Sequence, residues 1–210
     1  MIVVHHLNDS RSQRILWLLE ELGATYEVRP YARDPATRLA PPELTAVHPL
    51  GKSPVITDDG QTVHESGAII DFLVRRHGEG RLQPRPGTDE YEAYNQWLHY
   101  AEGSAMLPFM LQHYVSRLGE AGEALGPRIR GEIANHLGFI NAALADRDWL
   151  VEDFTAADIQ MSFVGEIAVA RGHTAAFPNI GGWVDRFQAR PAYQAAVERG
   201  GPYSFAPNPA

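Results

Sequence analysis

Apolar positions recur along this chain in two rhythms. Up to about residue 80 they fall in short runs and short amphipathic stretches, and beyond it they recur at steps of three and four over long segments. Ile2 to His6 is β-branched and predicts a strand. Ser10 or Ser12 then leads into Gln13–Leu22, where Ile15, Leu18, Leu19 and Leu22 share one helical face and Gly23 follows as a C-cap. Ala24–Arg29 reads as a second strand, so the order strand, helix, strand implies a parallel pair with a right-handed crossover. Residues 31–47 are irregular, with a short helix expected near Glu43–Val47. Pro54–Thr57 and Thr62–His64 flank Asp59-Gly60, a hairpin signal. Ala68–Arg76 predicts a helix with Ile69, Phe72 and Leu73 inward. The first 80 residues thus read βαβ, then ββα.

His77–Thr88 is dense in Gly and Pro and reads as a linker, with 81–88 its centre. Residues 89–210 then read as an all-helical domain. Glu90–Tyr114 carries Tyr94, Trp97, Leu98 and Ala101 at helical spacing, and Pro108 inside it predicts a kink. Ile129–Ala145 places Ile133, Leu137, Ile140 and Leu144 on one face. Thr155 and Asp158 form a capping signature for a helix reaching about Ala170. Helices near Ile180–Ala189 and Pro191–Arg199 close the pattern, and the tail PYSFAPNPA is expected to lie loosely on the surface.

Bulk properties narrow the function. The formal net charge of −8 argues against general nucleic-acid binding and against an anionic membrane surface. No apolar run approaches the roughly 20 residues needed to span a bilayer, and MIVVHHLNDS gives no sign of a secretory leader. A cytoplasmic protein is expected. There is no cysteine, which removes disulfides, thiolate metal sites, cysteine nucleophiles and CxxC redox chemistry. Any catalytic thiol must therefore arrive with a ligand. Nine histidines invite a metal reading, but His5 and His6 are adjacent on a strand and point to opposite faces, and no HExxH spacing occurs. No metal is expected.

The densest chemistry lies between His48 and Ile70. Ser53-Pro54 stands directly before the apolar pair Val55-Ile56, where a proline costs a ladder donor and needs a positional reason. A cis bond there would turn the chain and leave the backbone groups of the preceding residue for a ligand. Glu65-Ser66 opens a helix, whose free N–H groups and dipole suit a carboxylate. Together these features suggest a peptide-like, anionic ligand held on backbone groups.

HPLGKSPVI, HESGAI, the LLEELG helix end with Tyr26-Glu27 after it, and FTAADI together resemble the soluble glutathione transferases, in their serine-type, bacterial or theta-like form. The resemblance covers nearly the whole chain. It implies an α/β N-terminal thioredoxin-like domain over 1–80 that binds glutathione, and an all-α C-terminal domain that supplies most of the pocket for an apolar electrophile. It also implies a homodimer and a role in detoxification. Under it, Pro54 is the cis-proline, Ser53 presents backbone groups to the cysteinyl part of glutathione, and Glu65 and Ser66 bind the γ-glutamyl end. Lys52 sits near the glycyl carboxylate or the same peptide backbone.

The resemblance also implies a hydroxyl just after the first strand, donating to the glutathione sulfur. A free thiol with pKa near about 8.5 is only slightly ionised at neutral pH, and a two-unit shift corresponds to about 2.7 kcal/mol. Counting back from Arg14 and LLEELG places the activating residue at Ser10. Ser12, Arg11 and Asn8 compete for the role, and one serine is expected to be simply an N-cap. Met106, Met110 and Tyr114 line either the co-substrate pocket or the packing surfaces. Asp58-Asp59 and Arg75-Arg76 read as solvated charges, and Glu20 is expected to face solvent. Within the same chemistry stand a glutathione-dependent peroxidase, dehalogenase or isomerase. Outside it stands a non-catalytic binding or interaction protein of the same fold.

Overall fold

The computed structural model describes residues 1–206. Its contacts divide the chain into two units, Met1–Gln83 with the segment from Asp185 onward, and Pro84–Val184.

The first unit is built on a four-stranded sheet of order β2-β1-β3-β4. Its strands are β1 (Ile2–Leu7), β2 (Tyr26–Tyr31), β3 (Val55–Asp58) and β4 (Gln61–His64). β1 pairs parallel with β2 and antiparallel with β3, so Val4 stands between Val28 and Ile56. β1 is central and buried on both faces, which is why its sequence is apolar throughout apart from two buried histidines. β2 runs further than its propensity suggests and takes in Pro30, which an edge strand tolerates because it leaves one row of backbone groups unpaired.

Helix α1 (Ser12–Leu22) ends on Gly23 in the left-handed conformation, as the C-cap pattern predicts. Its apolar stripe is wider than its periodicity indicates, for Leu16 and Trp17 are also buried. The reason lies at the far end of the chain. Helix α8 (Pro178–Gln188) runs out of the helical unit, and α9 (Pro191–Gly200) packs on α1. Trp17 meets Phe187 and Tyr193 at ring separations of 5.3 and 5.4 Å. Residues from Asp185 onward, helical by their pattern, therefore pack with the sheet. Tyr203 is buried and the Ser204 N–H donates to Asp9 Oδ1 at 2.9 Å, so the described part of the tail is anchored. Its last four residues lie outside the described ones.

Several charges expected to be solvated are paired. Glu20 accepts from Tyr26 Oη at 2.6 Å and from Arg199 Nη1 at 3.0 Å, while the guanidinium lies 4.0 Å over the Tyr26 ring. Asp58 is 2% exposed and meets His77 at 3.0 Å and Arg76 at 3.4 Å. A short helix, α2 (Glu43–Val47), follows the irregular stretch. Helix α3 (Ser66–His77) buries Ile69, Ile70, Leu73 and Val74, while Phe72 is half-buried beneath the Arg76 guanidinium.

The second unit is helical: α4 (Asp89–Tyr100), α5 (Met106–Val115), α6 (Gly126–Ala143), α7 (Ala156–Ala170) and the first part of α8. The break between α4 and α5 precedes Pro108 by a turn. Ala101–Ala105 is a π-helical turn, closed by the Met106 N–H on the Ala101 carbonyl. Pro108 has no N–H for the Ser104 carbonyl and its ring crowds that oxygen, so the ladder widens just ahead of it. Two 3₁₀ pieces within Ser116–Leu125, broken at Gly119 where φ is 57°, join α5 to α6. Ile129, Ile133, Leu137 and Ile140 form the buried face of α6, as their spacing predicts. The Thr155 cap is reciprocal, its side chain accepting from the Ala157 N–H at 3.2 Å while its own N–H donates to Asp158 Oδ2 at 3.0 Å. Asp158 Oδ1 also accepts from the Leu150 N–H and from Trp183 Nε1, at 3.0 and 3.1 Å. Among the described residues no helix is long and apolar enough to cross a membrane.

Candidate functional site

The sheet carries its chemistry at the C-terminal end of β1. Leu7 ends the strand, Asp9 turns the chain with φ of 51°, and Ser10 follows just before α1. Arg33 holds this turn by donating to the backbone carbonyls of Asn8 and Asp9, while the Asn8 Oδ1 accepts the Arg33 N–H at 3.2 Å. The Asn8 side chain thus serves the turn.

Ser10 and Ser12 have different surroundings. Ser10 Oγ accepts from the Ser12 N–H at 3.2 Å, so it caps the start of α1 while keeping 5% exposure. Ser12 is 0% exposed. Its hydroxyl lies 2.8 Å from Ser10 Oγ and 2.9 Å from His6 Nδ1. A hydroxyl without surface meets no ligand, and of the two serines Ser10 alone keeps some exposed surface. The N-terminus of α1 adds a dipole that favours negative charge beside Ser10.

From the antiparallel side comes Ser53. Its Oγ lies 3.4 Å from Ser10 Oγ and donates to the His5 carbonyl at 2.9 Å. The Ser53–Pro54 peptide bond is cis, and Pro54 is buried where β3 begins. Lys52 is exposed beside it. Glu65 and Ser66 stand where β4 passes into α3. Glu65 is exposed, with φ of 68° and ψ of 120°, a backbone setting that a side-chain-bearing residue adopts only at a cost of order 1–3 kcal/mol. Ser66 is buried at the first position of a helix whose leading residues include no acid. Such a terminus offers N–H groups and positive potential to a carboxylate. The fold brings Ser10 and Ser53 within reach of one another, and Glu65 and Ser66 follow β4, whose His64 pairs with Val55. Across the loop, His48 stacks on His64 with centroids 4.0 Å apart.

His6 is the residue that the sequence pattern did not single out. Alternation along β1 places His5 and His6 on opposite faces, but it does not say that one face meets the start of α1. His5 Nδ1 contacts Tyr31 Oη at 2.9 Å, and His6 meets Ser12. Burial holds the pKa of both rings below the ordinary value, and the Gly200 backbone and Asp9 act on His6 in the opposite sense.

In the helical unit Met106 is buried and belongs to the core, Met110 is half-buried, and Tyr114 is 58% exposed. A groove of about 670 Å³ is lined by Trp97, Tyr100, Gly103 and Phe139, with Trp97 and Phe139 stacked at 5.3 Å.

Residues 1–75 match the family model described as glutathione S-transferase, N-terminal domain, and residues 101–191 match glutathione S-transferase, C-terminal domain. A relative named Glutathione S-transferase 3 from Schizosaccharomyces pombe is 37% identical over 216 residues, covering 95% of this chain and 88% of that protein. The crystal structure of a glutathione S-transferase from Actinobacillus pleuropneumoniae superposes with a TM-score of 0.89 at 33% identity, covering 98% of this chain and 95% of that one. A Phanerochaete chrysosporium glutathione transferase, solved in complex with oxidized glutathione, superposes at 0.79 with 25% identity, covering 95% and 96%.

Proposed function

Because the chain belongs to the soluble glutathione S-transferase family, we propose that it binds glutathione on its first unit and activates the thiol for attack on an apolar electrophile. The observation that carries this reading is the meeting of the Ser10 hydroxyl, 3.4 Å from Ser53, with the cis Ser53–Pro54 bond. This arrangement supports the serine-type assignment. Ser10 donates to the sulfur, Ser53 offers its backbone to the cysteinyl part, and Lys52 lies near the glycyl end. Glu65 and Ser66, at the start of α3, take the γ-glutamyl end. The residues fit the ligand chemically: a hydroxyl and a helix dipole favour an anionic sulfur, and a helix N-terminus favours a carboxylate.

Ser10 favours the ionised thiol by donating one hydrogen bond to it, at about 1.5–3 kcal/mol for a bond to a charged group. The sulfur then attacks the electrophile, and the leaving group or the added proton completes the turnover. The same reading takes the active form to be a cytoplasmic homodimer with a role in detoxification. Exposed apolar side chains on the helical unit, Phe139 at 55% and Leu107 at 56%, support dimer formation. Peroxidase, dehalogenase and isomerase reactions use the same activated thiol and are variants of this reading.

Ultraviolet difference spectroscopy of bound glutathione against pH tests it. Wild type ionises the thiol well below its free pKa, and Ser10→Ala loses most of that shift. A protein that binds glutathione with an unshifted thiol would overturn the catalytic reading.

A further inference from the structure

His6, Ser12 and Ser10 form an unbroken line from the interior of the first unit to its candidate site. His6 is 3% exposed and Ser12 0%, so no bulk solvent enters the line. His6 Nδ1 lies 2.9 Å from Ser12 Oγ, and Ser12 Oγ lies 2.8 Å from Ser10 Oγ. On its other side the ring meets α9, where the Gly200 backbone acts on the imidazole in the sense that favours its charged form. Gly200 packs so closely that an added Cβ would stand 3.4 Å from His6 Cε1 and 2.5 Å from Gln13 Oε1.

In the neutral Nε2–H tautomer Nδ1 is bare and accepts from Ser12 at 2.9 Å. The Ser12 oxygen then accepts the Ser10 proton at 2.8 Å, a shorter contact than the 3.4 Å at which Ser10 Oγ donates to Ser53 Oγ. The Leu7 carbonyl is a longer alternative for the Ser12 hydroxyl, at 3.3 Å. With Ser10 turned inward and its oxygen already accepting the Ser12 N–H, what it offers outward is a lone pair. That suits a thiol S–H and opposes a thiolate. A thiolate favours the line with every hydroxyl reversed, and that reversal is complete when Nδ1 is protonated.

The geometry points to a proton relay in which His6 is a positioning residue that receives the glutathione thiol proton through Ser10 and Ser12. The inference rests on the reading of Ser10 as the hydroxyl that meets the sulfur. In the step, the S–H bond breaks and an Nδ1–H bond forms. Ser10 takes the thiol proton and passes its own to Ser12, and Ser12 passes its own to His6. Each hydroxyl ends with one proton, now pointing outward, and the product is a thiolate and an imidazolium with no other reactant consumed.

The surroundings of the ring decide whether the proton stays. Asp9, in the loop before α1, is the charged group acting on it, and it favours the imidazolium. α1 offers Ser12 and Gln13, α9 offers the Gly200 backbone, and the paired position on β2 is Pro30. Burial opposes the charge, so the ring is neutral at pH 7 without ligand and gains its proton only against the new negative sulfur.

Long-range proton–nitrogen NMR of the His6 ring tests the relay in wild type alone, in three states: free, saturated with glutathione, and saturated with S-methylglutathione. The thioether keeps the peptide contacts and has no proton to give. The free ring is expected as the Nε2–H tautomer. Glutathione should raise its pKa by about one unit or more, and S-methylglutathione should leave it unmoved. Ser12→Ala should still bind glutathione, lose the His6 shift and ionise the bound thiol at higher pH. Equal His6 titrations with the two ligands would overturn the relay while leaving glutathione binding intact. If neither ligand perturbs the amides of Ser53 and Ser66, the glutathione reading itself fails and takes the relay with it.

Discussion

Arg190 closes two hydrogen bonds onto the Glu21 carboxylate, at 2.6 and 2.8 Å, across 169 positions of sequence. Trp17 Nε1 donates to the same Glu21 Oε1 at 2.8 Å. Planar bidentate pairing of this kind is the geometry in which arginine cannot be replaced by lysine. It ties the start of α9 to α1 in the unit that carries the candidate site.

Arg190→Ala should therefore destabilise the protein. Glu21 is 9% exposed and Arg190 30%, so solvent screening brings the loss below that of a fully buried pair, to about 2 kcal/mol. Urea melts should show a lower midpoint for Arg190→Ala, with Arg190→Lys recovering only part. An unchanged midpoint would mean the pair contributes nothing net.

Asp158 gives a pH dependence with a definite sign. Burial raises its folded pKa from 3.8 to about 6 in spite of the hydrogen bonds it accepts. A carboxyl raised on folding stabilises the native state below its unfolded pKa, and that contribution is lost as pH rises through the folded value. The window is about pH 4 to 6, and the full effect is of order 3 kcal/mol. Stability measured across this window should slope downward by more in wild type than in Asp158→Asn. The variant should be weaker throughout, because an amide cannot accept at both positions. Parallel pH profiles for the two proteins would refute the assignment.

Gly165 lies where α7 meets α8. A Cβ there would stand 2.6 Å from Trp183 Cζ3 and 3.0 Å from Val184 Cγ2, against a rigid indole rather than a flexible chain end. Alanine gains about 1 kcal/mol in helix propensity and loses about 1–3 kcal/mol to overpacking. Gly165→Ala should thus melt lower than wild type, and a higher melting temperature would show that α8 shifts freely.

Ser66→Ala separates binding from activation. Removing a hydroxyl that bonds a charged group costs about 1.5–3 kcal/mol, or roughly tenfold to a hundredfold in affinity. Titration calorimetry should show weaker glutathione binding, while the pKa of the bound thiol stays at the wild-type value. A shift of the thiol pKa in this variant would place Ser66 closer to the sulfur than α3 implies.

Much of this was legible in the residues. The α6 stripe, the Thr155 cap and the Gly23 stop are local rules satisfied locally, so spacing alone locates them. The turn that holds Ser10 could be located by counting within a motif and Ser53 by a proline in an unusual place, but not that the two hydroxyls lie 3.4 Å apart. What spacing could not give was anything decided by distant packing. Leu16 and Trp17 fall outside the periodic stripe of α1, and they are buried because Gly200 packs beside Leu16 and Phe187 and Tyr193 meet Trp17. Asp58 looks solvated until His77 and Arg76 reach it. The π turn appears ahead of Pro108 because the crowded carbonyl belongs to the preceding turn. The His6–Ser12 contact depends on which face of β1 meets the start of α1, which a single strand does not encode.

The packing of α9 on α1 also orders events during synthesis. Ribosomes deliver the sheet well before α9. Until residues 185–206 emerge, Trp17 lacks the Phe187 and Tyr193 rings, Glu21 lacks Arg190, and His6 lacks the Gly200 backbone beside it. The nascent N-terminal unit is therefore an unfinished core until α9 emerges. A stop codon shortly before Arg190 would remove no residue of the sheet and would still leave Trp17 and Glu21 without these partners.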